Sequence, residues 1–149
     1  MRVERARRNG AVHVVATTES GRQVALDGAP SIGGENLGAR PMELVLAALG
    51  GCSAIDVVGI LARQRQRFDD LRVTVDGERD PAATPSLFRS IHVHFDVAGV
   101  CEEAKVARAV ALSMETYCSV ARLLEPTATI THSYAVHAAS GTASAPAAQ

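Results

Sequence analysis

The stretch from Pro41 to Leu61, PMELVLAALGGCSAIDVVGIL, constrains this chain more than any other. Its proline holds φ near the helical value, and the N–H it lacks would go unpaired in a first turn anyway, so it opens a helix. The helix reads on to about Arg65, with arginines near its negative C-terminal end. A surface helix shows one apolar stripe, whereas this one is apolar nearly all round. Glu43, Ser53 and Asp56 interrupt it, which favours a buried core helix over a membrane span. Gly50 and Gly51 each cost a helix about 1 kcal/mol relative to alanine. Placed beside Cys52, they call for something close to the backbone: a crossing helix, a ligand or a partner chain. Plain close packing around an inert, buried Cys52 accounts for the same residues.

The segments around this helix read mostly as strands. RVERA and AVHVVATT flank Asn9-Gly10, a pair that favours a tight hairpin. ESG turns the chain into RQVALD, and residues 28–40 form a glycine-rich loop of a length often tied to function. LRVTVDGERD and FRSIHVHFDVAG alternate as strands around the loop PAATPS. Between Cys101 and Tyr117, Val106, Val110, Met114 and Tyr117 mark an amphipathic helix. A short helix SVARLLE, stopped by Pro126, and a last strand TATITHSYAVH follow. The order βββ-α-ββ-α-α-β predicts an α+β fold with antiparallel sheets, a single domain over residues 1–138 and a disordered tail over 139–149.

Fifteen basic and sixteen acidic residues give a net charge of −1, and aromatic residues make up 3% of the chain. Neither a nucleic-acid partner nor a membrane surface is expected on those terms. Three cysteines are too few and too unevenly spaced for a disulfide scaffold, and the charged N-terminus lacks the apolar stretch of a signal peptide. The expectation is a cytoplasmic protein with reduced thiols.

Asp56 falls one turn beyond Cys52 and about 40° round the helix, where its charge opposes a thiolate unless a cation compensates. Glu43, nine residues before Cys52, falls on the opposite side. Cys118 sits at a joint between helices, where the N-terminus of the short helix would favour its anion. Cys118 is therefore expected to react faster than a buried Cys52 with bulky thiol reagents. Cys101, next to Glu102 and Glu103, reads as incidental. His92 and His94 share a strand face, and with His132 they would make a zinc site; a half-exposed polar face explains them equally. GGENLG lacks the lysine of a phosphate loop, and Ser53 lacks a nucleophile elbow.

PMELVLAALGGCSAIDVV, followed by YCSVARLLEPTATITHSY with its cysteine 66 residues after the first, resembles the OsmC/Ohr family of osmotically induced and organic-hydroperoxide-resistance proteins. The likeness runs from about Gly38 to Tyr134 and is nearest to a less characterised bacterial branch. It implies an α+β intertwined homodimer with two central cysteine helices and strands from both chains in each sheet. The activity implied is that of a thiol peroxidase. Cys52 would attack an organic hydroperoxide, Cys118 would resolve the sulfenic acid as a disulfide, and a dihydrolipoamide-type dithiol would reduce it. No cofactor or metal is implied. The chain departs from the pattern of active members at the glutamate after the helix-opening proline, which here is Met42, and at the loop arginine paired with it. Glu43 and Arg40 stand in as nearest equivalents, Arg40 as the thiolate-stabilising cation. The departure keeps a second reading open, a non-catalytic dimer of the same fold binding a small hydrophobic or electrophilic molecule.

Overall fold

In a computed structural model, describing residues 1–5 and 12–138, the chain divides into two compact units, Met1–Val45 and Leu46–Gln149. The expected hairpin tip at Asn9-Gly10 and the expected tail over 139–149 lie outside the described residues.

Three short strands form the first unit's sheet: β1 (Arg2–Arg5), β2 (Val14–Thr17) and β3 (Gln23–Leu26), antiparallel in the order β1-β2-β3. The ESG turn closes with Thr18 N–H donating to Arg22 O at 2.9 Å, and Gly21 takes φ 79°. The glycine-rich loop is ordered from within. Asp27, 2% exposed, accepts backbone N–H groups from Gly28 at 2.8 Å, Glu35 at 2.9 Å and Leu37 at 3.0 Å. The Leu37 amide contributes most to holding this carboxyl below its usual range, against the opposing effect of burial. One 3₁₀ turn, Pro30–Ile32, fills the loop.

Helix α1 (Pro41–Arg63) ends close to its expected limit, with Arg65 at φ 56° just beyond. The second unit's sheet has order β4-β5-β6, from β4 (Arg67–Arg79), β5 (Phe88–Val100) and β6 (Thr129–His137). Between β5 and β6 lie α2 (Glu103–Leu112), a π-turn (Ser113–Tyr117) and α3 (Ser119–Leu124). The α+β class holds, but the expectation of wholly antiparallel sheets fails at one pairing. β4 and β5 are antiparallel, whereas β5 and β6 are parallel. Residues 101–128 supply the reason, because a helical connection of that length carries the chain back to the starting end of the sheet.

On β5, Ile91, Val93, Phe95 and Val97 are buried, while Ser90, His92, His94 and Asp96 alternate with them on the outer face. From α1, Leu49, Val57, Ile60 and Leu61 join the core, with Val106, Ala109 and Val110 from α2. The two glycines of α1 differ. A Cβ at Gly50 would sit 3.0 Å from Val75 Cγ2, so Gly50 lets the helix lie close on β4. A Cβ at Gly51 would meet nothing within 4 Å. Gly51 belongs to an exposed ridge with Ala47, Ile55, Val58 and Ala62, at three- and four-residue steps, and Ile55 is 74% exposed. By length and composition alone α1 would also be able to cross a membrane.

Candidate active site

The second unit brings two of the three cysteines together. Cys52 and Asp56 share a face of α1 because four residues advance about 400° round a helix. Cys118 arrives from the far end of the α2 segment. There the helix widens into a π-turn, with Cys118 N–H donating to Ser113 O at 2.8 Å, before the backbone breaks to φ −66°, ψ 101° at Cys118 and α3 begins. Arg122 fastens this joint, donating to Met114 O at 3.0 Å and pairing with Glu125 at 2.9 Å. Cys52 Sγ, Cys118 Sγ and an Asp56 carboxylate oxygen all lie within 4.8 Å of one another. Ser113 Oγ shares its single proton between Asp56 Oδ2 at 3.2 Å and Ser53 O at 3.3 Å, tying the π-turn to α1.

The electrostatics reverse the expected ranking of the thiols. Cys118 is fully buried and Cys52 partly exposed. Burial pushes the Cys118 thiol up to about 11. The amides of Ala121 and Val120 pull the other way, and the neighbouring Cys52 adds to the rise. The α3 N-terminus does favour the anion, as its position predicts, but desolvation outweighs it. Cys118 is therefore the protonated, shielded thiol and Cys52 the approachable one. Cys101 lies just before α2, with its thiol donating to Arg67 O at 3.1 Å. Burial, with Asp69 nearby, raises its pKa.

Glu43 and Arg40 lie in the first unit, where their contacts are local. Glu43 Oε2 accepts the Arg40 backbone N–H at 2.8 Å, the reciprocal half of a capping box at the start of α1, and Arg40 Nη2 donates to Asn36 Oδ1. Ser53 is buried and donates into its own helix at Leu49 O, 2.9 Å, which removes it as a nucleophile. The three-histidine zinc reading also fails. His92 and His94 are on the outer face, bridged by Ser133 Oγ at 2.8 and 2.7 Å. His132 takes the opposite parity on β6 and borders a cleft of about 690 Å³ with Met114, Arg122 and Ala128. Asp96 continues the outer network, 3.0 Å from His137 Nε2 and 3.4 Å from His94 Nε2. Ser113 and Arg122 belong to no sequence motif; their signal is spacing alone, five residues before Cys118 and four after.

An α+β fold whose long apolar helix faces a second cysteine across a helix joint defines a thiol-bearing class of protein. The OsmC-like protein family model matches residues 33–133, and the chain belongs to that family. The chain is 51% identical over 126 residues to Protein YhfA of Escherichia coli (strain K12), covering 80% of this chain and 87% of that one. A crystal structure of a protein from Aquifex aeolicus VF5 superposes with TM-score 0.79 at 29% identity, over 93% of this chain and 97% of the other. An organic hydroperoxide resistance protein OsmC from Legionella pneumophila shares the fold with TM-score 0.68 at 19% identity, over 91% and 96%.

Proposed function

We propose that this protein is a two-cysteine thiol peroxidase for organic hydroperoxides, acting in oxidative-stress defence as a cytoplasmic homodimer. The observation that carries the reading is the approach of Cys52 and Cys118 within 4.8 Å from separate elements. The organic hydroperoxide resistance named for the Legionella protein of the same fold agrees with it. Cys52, the more open thiol, attacks the distal peroxide oxygen. An S–O bond forms, the O–O bond breaks and an alcohol leaves, so the peroxide is reduced and Cys52 becomes a sulfenic acid. The Cys118 sulfur then displaces that hydroxyl. Its proton leaves with the hydroxyl as water, and a disulfide remains for a dihydrolipoamide-type dithiol to reduce. The ridge of Ala47, Gly51, Ile55, Val58 and Ala62 supports the dimer, since covering each large apolar side chain is worth roughly 1.5–3 kcal/mol. Arg40 and Glu43 are proposed only as supports of the helix start and its loop.

Alkyl hydroperoxide consumption with a dithiol reductant tests the reading. Cys52→Ser should abolish turnover, whereas Cys118→Ser should allow one oxidation and leave a sulfenic or over-oxidised Cys52. Wild-type turnover no faster than that of free thiol defeats the proposal. Met42, where active members carry a carboxylate, favours the second reading, a dimer that binds a small hydrophobic or electrophilic molecule.

A further inference from the structure

The peroxidase chemistry leaves Asp56 unexplained. A carboxylate within 4.8 Å of both sulfurs opposes the anion that a nucleophilic thiol must become. Ser113 holds that carboxylate at 3.2 Å, so its orientation is fixed by a second element. A divalent cation reverses the balance, because two thiolates and a carboxylate are then three anionic ligands around two positive charges.

We infer that the reduced Cys52 and Cys118 thiols, with Asp56, form a binding site for a thiophilic divalent cation of the zinc class. Zinc holds sulfur at about 2.3 Å and carboxylate oxygen at about 2.0–2.2 Å, which sets tetrahedral ligand atoms about 3.6–3.8 Å apart. The three atoms already fall within 4.8 Å, so closing on an ion asks for movements of about 1 Å. Ligand type agrees, since paired thiolates select zinc and its soft neighbours over magnesium or calcium. The outer contacts are in place as well. Ser113 orients Asp56, and the amides of Ala121 and Val120 are directed at the Cys118 sulfur. Binding converts two thiols to thiolates and releases two protons, with no change of oxidation state. Three protein ligands leave a fourth position for water or an exogenous thiol. This site goes beyond the peroxidase reading and does not depend on it.

The test uses the full-length, reduced, metal-free protein, titrated with Zn²⁺ against a chromophoric chelator and with Co²⁺ as the spectroscopic probe. One equivalent per chain is expected, with thiolate-to-cobalt charge transfer and the intense d–d bands of a tetrahedral site. Ser113→Ala, which keeps all three ligands, should weaken zinc by about 10-fold, and Asp56→Asn by about 10- to 100-fold. Protein oxidised to the Cys52–Cys118 disulfide should bind none, a comparison that needs no substitution. An octahedral cobalt spectrum without charge transfer overturns the site. So does Asp56→Asn binding zinc as tightly as wild type, which would leave a bare dithiol. Peroxide turnover, measured separately on chelator-treated protein, can fail without touching this result, and the converse holds.

Discussion

Asp27 in the first unit and Cys118 in the second are both almost wholly buried acids, and they ionise in opposite senses. Asp27 lies below its ordinary value of 3.8, with the amide of Leu37 the largest cause. Cys118 is driven from 9.0 up to about 11, with burial the largest cause. Both receive backbone N–H groups, so the presence of donors does not separate them. Strength of donation does, because a compact carboxylate oxygen 2.8–3.0 Å from its donors gains far more from each than a diffuse sulfur does. The first unit uses a buried anion to fix a loop, while the second keeps a buried thiol neutral.

The largest effect is expected at Asp27. Asp27→Ala strands three amides and should release the loop, read as lost hydrogen-exchange protection at Gly28, Glu35 and Leu37. Because its folded pKa is depressed, the stability Asp27 supplies is complete above about 3.8 and drains away as pH falls through the lower folded value. Asp27→Asn should flatten that acid arm in denaturant titrations, and an unchanged arm breaks the comparison. Cys118 provides the opposite arm. Its raised pKa makes stability complete below 9.0 and lost as pH climbs through about 11, a fall of about 3 kcal/mol that Cys118→Ala should abolish.

Labelling kinetics sharpen the contrast within the thiol pair. A bulky maleimide should modify Cys52 at least about 10-fold faster than Cys118 in the reduced protein, as followed by mass spectrometry. Equal rates would mean that Cys118 is not shielded. The smallest effect falls at the start of α1, where Glu43→Ala should cost about 1 kcal/mol in chemical denaturation while leaving the Cys52 oxidation rate unchanged. A slowed oxidation would return Glu43 to the active site.

Local rules made much of this molecule readable. Pro41 announces α1, alternation on Phe88–Val100 separates Ile91, Val93 and Phe95 from His92 and His94, and four-residue spacing sets Asp56 beside Cys52. What escaped depends on contacts distant in sequence. Strand direction at β6 follows from where residues 101–128 deliver the chain, and that path is absent from the alternation of Thr129–His137 itself. The burial of Cys118 is set by its surroundings, so its position at a helix start pointed to a reactive thiol where desolvation prevails. By resemblance Glu43 reads as a displaced catalytic acid, although its place three residues after Arg40 is the capping position of an ordinary helix start.

The π-turn at Ser113–Tyr117 has a consequence for how this chain can vary. A bond from Cys118 N–H to Ser113 O spans five residues where an α-turn spans four. Deleting one residue there would restore regular winding and swing every later side chain about 100° round the axis, carrying the second sulfur away from the first. Inserting one would err the other way. The exposed side chains of the turn, at Glu115, Thr116 and Tyr117, can change with modest effect, but its length is a vernier that sets one sulfur against the other, and a one-residue deletion scan across 114–117 would find it as a narrow band of intolerance.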